Sequence, residues 1–256
     1  MDLFFRKEGQ GPALFILHGL FGMLDNWQSI ARTLQEHHTV YLVDQRNHGR
    51  SPHSEVFTYE AMSNDLLELM NREELPAATI LGHSMGGKTA MQFSINHPHR
   101  IHKLIVADIS PRKYSNHDQH LALIDAMLEV GVEEARSRSE VREQLSQKIR
   151  PDHVRQFLLK NLYWKEKGKL GWRLNLMVLK QHMDEVFQAI EAPKPIDIPA
   201  LFLKGEKSGY IRTADEHMIR NMFPQARIST IKNGTHWLHA DNPGDFTREV
   251  IDFLKA

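Results

Sequence analysis

"LGHSMGGKTA", residues 81–90, sets one serine between glycines two positions before and two positions after it, with a third glycine and a helix-forming run behind. The apolar run ATIL (78–81) in front reads as a strand, and KTAMQFSINH (88–97) reads as a helix. A strand-to-helix turn this tight drives its central residue toward disfavoured backbone angles, and Gly82 and Gly86 remove the side chains that would collide there. Ser84 is therefore expected to stand exposed at the carboxyl end of a sheet strand. The N–H of Met85 opens the following helix, where unpaired amides and the helix dipole favour a developing oxyanion.

Outward from this turn, short apolar runs alternate with helical patterns. The runs are LFFR (3–6), ALFILH (13–18), TVYLVD (39–44), ATILG (78–82), KLIVAD (103–108), ALFLK (200–204) and RISTI (227–231). The middle five are continuously apolar, as strands buried on both faces are, and segments 26–36, 60–74, 85–97 and 214–222 carry helical periodicity. A mostly parallel, doubly wound α/β sheet is expected. The first two runs, joined by KEGQGP (7–12), are expected to form an antiparallel hairpin at the sheet edge. Between Pro111 and Pro199 the alternation gives way to successive amphipathic helices with no strong strand. The expected division is a core of residues 1–111 and 199–256 with a helical cap, 112–198, inserted in it.

A chain of 256 residues can bury one sizeable core, and its 41% hydrophobic and 25% charged content is ordinary for a globular protein. Lysine plus arginine equals aspartate plus glutamate at 32 each, without a clustered basic face, which argues against nucleic acid as a partner. The absence of cysteine excludes disulfides, thiolate metal sites and a thiol nucleophile. MDLFFRKEGQ (1–10) lacks the apolar core of a signal peptide, and no run is long enough to span a bilayer. These features lead to the expectation of a soluble, cytoplasmic monomer or homodimer with no membrane anchor, no metal and no cofactor.

A serine hydroxyl needs a base to become a nucleophile. Of the 16 histidines, His236 in NGTHW (233–237) follows the last expected strand and precedes the C-terminal helix, in a loop at the same sheet edge as Ser84. His97, His99 and His102 lie in a polar connection, and His239 with Asp241 matches no compact metal site. A third group must orient the imidazole. Asp108 ends the strand after the serine helix, where neighbouring strand tips come within side-chain reach, and the chain order Ser84, Asp108, His236 suits this architecture. Glu206, in the loop after the run 200–204, is the rival acid.

The segments HGLFG (18–22), DQRNHGRS (44–51), GHSMGG (82–87) and GTHWLHADNP (234–243) resemble the α/β-hydrolase superfamily over nearly the whole chain. HGLFGMLDNW (18–27), VDQRNHGRSP (43–52) and ADISP (107–111) narrow the resemblance to the small bacterial esterases of the YbfF type, relatives of the ABHD11 hydrolases. The resemblance implies a Ser/His/Asp carboxylic ester or acyl thioester hydrolase of the α/β-hydrolase fold. By match to the family pattern the Leu20 N–H joins that of Met85 in an oxyanion hole, His18 shapes its loop, and Asp44, Arg46 and Gly49 fix a supporting loop. One departure is that many members carry an acid in a G-x-x-D loop where KGEKSGY (204–210) has Ser208.

Substrate choice is expected from the cap, with Phe21, Trp164 and Trp237 as substrate-binding residues. A hydrophobic roof favours short to medium acyl chains, and Lys88, Arg112 and Lys113 are candidates to attract an anionic acyl-CoA. A C–C bond hydrolase or cofactor-free perhydrolase would use the same triad, and a hydrolase-fold ligand receptor is the non-enzymatic alternative.

Overall fold

In β2 (Ala13–Leu17), Leu14 and Ile16 join one group of buried side chains while Phe15 and Leu17 join another. The same alternation holds in β3 (Thr39–Val43), with Val40 and Leu42 against Tyr41 and Val43. Such strands are apolar throughout because both faces of the sheet are covered. β1 (Phe5–Glu8), β4 (Ala78–His83) and β5 (Ile101–Ala107) belong to the same sheet; β6 (Leu162–Glu166) and β7 (Lys169–Trp172) form a separate hairpin; β8 (Ala200–Gly205) and β9 (Ala226–Ile231) complete seven strands in the order β1-β3-β2-β4-β5-β8-β9. All pairings in that sheet are parallel except β1 with β3. The computed structural model describes residues 1–115 and 117–256.

One face is covered by α2 (Tyr59–Arg72) and α3 (Met85–Asn96) through Leu66, Leu69, Met91 and Phe93, together with Ile219 of α9 (Thr213–Met222). The other is covered by α1 (Gln28–Leu34) and α11 (Pro243–Lys255) through Ile30, Leu34, Phe246 and Val250, with the short α10 (Leu238–Asp241) beside them. Among the described residues, five helices lie between β5 and β8: α4 (Asp118–Leu128), α5 (Arg138–Lys148), α6 (Asp152–Leu159), α7 (Leu176–Gln181) and α8 (Met183–Phe187). Their Ile124, Leu145, Leu158, Leu179 and Phe187 continue the buried cluster of the α2/α3 face.

Two expectations from sequence are corrected. β1 pairs with β3, Phe5 opposite Val43, instead of forming a hairpin with β2, because β2 already has parallel partners on both sides in β3 and β4. The connection crosses the α1–β3 turn closely: a β-carbon at Gly9 would lie 2.4 Å from the carbonyl oxygens of both Gln35 and His38. Gly9 serves the close crossing and not a hairpin turn. The inserted segment also contains strands, since β6 and β7 pair Leu162 with Trp172 and turn at Gly168, which has φ +83°. Strands of five and four residues leave little room for a clear alternation, and the helical periodicity around them masked the pair.

Candidate active site

β4 delivers the chain into α3 through Ser84, whose φ of 53° and ψ of −120° lie outside the favoured regions. A β-carbon on Gly82 would fall 2.1 Å from the Gly86 carbonyl oxygen, and one on Gly86 would fall 2.4 Å from that of Leu17. The glycines are thus demanded by backbone packed on backbone. The Ser84 N–H donates to Ala107 O at 3.0 Å, and Ser84 O accepts from the N–H groups of Gly87 and Lys88 at 2.8 and 3.1 Å.

The structure brings Ser84, Asp108 and His236 together. Ser84 Oγ lies 3.0 Å from His236 Nε2, and His236 Nδ1 donates to Asp108 Oδ2 at 2.8 Å. Asp108 is fully buried just beyond β5 with φ 51°, and its carboxylate also accepts from the Gly205 N–H at 3.0 Å and from the Ser208 hydroxyl. Ser208 therefore donates to the acid instead of replacing it. Glu206 is exposed and accepts from the Asn233 N–H at 2.8 Å, which ties its loop to the end of β9.

His236 is held from further sides, ring and backbone, that sequence did not indicate. The Tyr210 ring stacks on it with centroids 3.8 Å apart, and His83 Nε2 donates to the His236 carbonyl at 2.7 Å. Burial holds His83 well below the usual histidine range, so it is neutral there. Tyr210 lies two residues past Ser208 in the KGEKSGY loop that departs from the family pattern, whereas His83 adjoins Ser84 itself.

Two buried histidines clasp the loop after β2 to the loop after β3. His18 Nδ1 donates to Gly19 O at 2.8 Å while Nε2 accepts from the Gln45 N–H at 3.0 Å. His48 Nδ1 donates to Arg46 O at 2.9 Å while Nε2 accepts from the Phe21 N–H at 3.2 Å. Each ring must be neutral to donate and accept in this way. Burial lowers both, His48 to about 3. Asp44 accepts from the N–H groups of Leu24 and Arg50 at 2.7 and 2.8 Å, and Arg46 forms a buried two-pronged pair with Asp65 at 2.6 and 2.8 Å. From the insertion, Asn161 Nδ2 donates to Phe21 O at 2.9 Å and holds that residue at φ 61°. Leu20 is thus fixed beside Ser84, and both line the same two cavities.

The larger cavity, about 730 Å³, runs from Ser84 and His236 to Phe21, Leu123, Phe157 and Trp237. Phe21 and Trp237 are part of its wall. Trp164 is not: it sits on β6, half exposed, away from the cavity walls. His120, a residue with no sequence signal, lines both cavities and is held neutral by burial, which lowers it to about 4. The expected cationic attraction is also corrected. Lys88 is buried, with its ammonium donating to the carbonyls of Arg112 and Gln188, and Arg112 pairs with Asp215 at 3.2 Å, so only Lys113 of the three stands exposed. Nor do His239 and Asp241 converge, since His239 stacks on Trp27 at 4.0 Å while Asp241 accepts from Thr235. Among the described residues no helix is long and apolar enough to cross a membrane.

Comparison with known proteins gives the same lineage. A family model described as the alpha/beta hydrolase fold matches residues 12–243. The chain is 40% identical over 257 residues to the sn-1-specific diacylglycerol lipase ABHD11 of Danio rerio, covering 98% of this chain and 81% of the fish protein. It is 36% identical over 251 residues to esterase YbfF of Escherichia coli strain K12, covering 97% and 95% of the two chains. A solved marine microorganism esterase superposes with a TM-score of 0.96 at 44% identity, over 98% of this chain and 99% of the other. Site geometry, sheet order and kinship converge: this chain belongs to the α/β hydrolase fold family.

Proposed function

We propose that the protein hydrolyses carboxylic esters, or acyl thioesters, through an acyl-serine intermediate. The observation that carries this reading is the unbroken relay from buried Asp108 through His236 to Ser84, with contacts of 2.8 and 3.0 Å. Both distances lie within reach for proton transfer before any substrate is bound. His236 Nε2 takes the Ser84 proton as Oγ attacks the acyl carbonyl. The resulting oxyanion rests on the N–H groups of Leu20 and Met85, each such donor being worth about 10²-fold to 10³-fold in turnover. His236 then protonates the departing alcohol or thiol, activates water, and a second attack releases the acid. Asp108 keeps the ring in the useful tautomer throughout. The insertion 112–198 serves as the cap: Gln119, Leu123, His153 and Phe157 roof the larger cavity.

The test is hydrolysis of p-nitrophenyl acetate and acetyl-CoA by the wild type and three variants, with fluorophosphonate labelling alongside. Ser84→Ala should abolish turnover and labelling. Asp108→Asn should lower kcat by about 10⁴-fold, the cost of that change in serine protease triads. Glu206→Gln should leave kcat within a few-fold, because its carboxylate only holds a loop. A folded wild type that neither turns over nor labels would refute the reading, and a large loss confined to Glu206→Gln would move the acid.

A further inference from the structure

Ser84 stands between two cavities of very different size. His236 is part of the wall of the larger one, about 730 Å³, and is not part of the wall of the smaller one, about 20 Å³. This asymmetry orients the substrate, on the proposed reading of the site. A leaving group must collect its proton from His236 Nε2, so it has to lie on the His236 side, in the large cavity. The carbonyl oxygen lies on the N–H groups of Leu20 and Met85. Of the four substituents on the tetrahedral carbon, only the acyl carbon is then unplaced, and the small cavity, which borders Ser84 and Met85 on the side away from His236, is open to it.

The far end of that cavity is closed by rigid parts. Lys88 lies one helical turn after Ser84 on α3, and helical side chains lean toward the N-terminus, so its stem points back toward the serine. It is 1% exposed, and its ammonium is tied to the carbonyls of Arg112 and Gln188 and lies 5.0 Å from the Tyr114 ring centroid. The Tyr59 and Tyr114 hydroxyls donate to Val186 O and Tyr210 O, each at 2.6 Å, so neither ring is free to swing away. Val186 and Phe187 supply the remaining wall from the insertion. At about 20 Å³ against about 730 Å³ on the other side of Ser84, the smaller cavity leaves room for a short acyl chain only.

We propose that the acyl half of the substrate is short, acetyl or propionyl, that the bulk of the substrate lies in the leaving group, and that Lys88 with Val186 and Phe187 sets this limit. The inference rests on the hydrolase reading above, and two panels separate their fates. One holds p-nitrophenol constant and lengthens the acyl group from acetyl to octanoyl. The other holds acetyl constant and enlarges the alcohol from methyl to naphthyl. In the wild type, kcat/KM should fall by at least about 10²-fold along the acyl panel, since a single unaccommodated methylene is already worth 10-fold or more. Along the alcohol panel it should hold or rise. Lys88→Met removes the ammonium at similar length, and Val186→Ala and Phe187→Ala enlarge the wall without touching α3. Each variant that keeps a cooperative melt should move the optimum toward butyryl or longer esters. Wild-type turnover of octanoyl esters equal to that of acetyl, or an unchanged acyl profile in folded Val186→Ala and Phe187→Ala, would overturn the inference while leaving the hydrolase reading intact. No turnover and no fluorophosphonate labelling at all would overturn both.

Discussion

Ser84 holds its strained φ of 53° because the surrounding backbone leaves no alternative: its N–H is committed to Ala107 and its carbonyl to Gly87 and Lys88. A non-glycine residue in so sparsely populated a region costs about 1–3 kcal/mol. Replacing Ser84 by glycine should relieve that strain against an entropic loss of about 0.5–1 kcal/mol, for a net gain near 1 kcal/mol. Urea unfolding of Ser84→Gly and Ser84→Ala, both inactive, should find the glycine variant the more stable. Equal midpoints would mean that the turn is not strained. Asp108, at φ 51°, is a second residue with a disfavoured backbone, and its carboxylate faces His236. The serine and its glycines were legible because their spacing is local. The choice of Asp108 over Glu206 was legible only as a preference, since both carboxylates follow sheet strands, and it takes the contact with His236 to separate them.

At the scale of elements, the turn between β4 and α3 works as a single rigid part. Gly82→Ala would push a β-carbon against the Gly86 carbonyl, 2.1 Å away, where the obstacle is backbone and cannot rotate aside. A cost of about 4 kcal/mol or more is expected, at the upper end for point changes. Gly244→Ala, at a position with open space around a β-carbon in the first turn of α11, should cost far less. Thermal melts of the two variants make the comparison, and similar melting temperatures would contradict the close packing of strand on helix. The β1 crossing and the β6–β7 hairpin show the complementary limit of local reading. Their residues satisfy more than one pairing, and the winner is set by which partner edges remain free.

Across the whole molecule, histidines are built in as neutral groups. Burial lowers His18, places His83 well below its ordinary value of 6.5, and brings His48 and His239 to about 3. The unfolded chain binds protons on these groups below about pH 6.5 and the folded chain does not, so their contribution to stability is present above that value and is lost as pH falls. Each group adds a slope of up to about 1.4 kcal/mol per pH unit. Urea midpoints measured from pH 7 down to pH 4 should drop steeply below pH 6.5. His48→Gln should unfold more easily at pH 7 yet show a shallower drop. A flat profile would mean that these rings take up protons without unfolding. The sequence alone determined the α/β architecture, the serine turn and the histidine that faces it, because strand and helix periodicity and the spacing of glycines act over a few residues. Tertiary structure alone decided that Ser208 donates to Asp108 across 100 positions of chain, that Tyr210 stacks on His236, that Trp164 stays outside the cavity and that the space beside Ser84 is small on one side and large on the other. Those outcomes depend on which distant segments meet and how closely they pack, and no local pattern of residues encodes a distance.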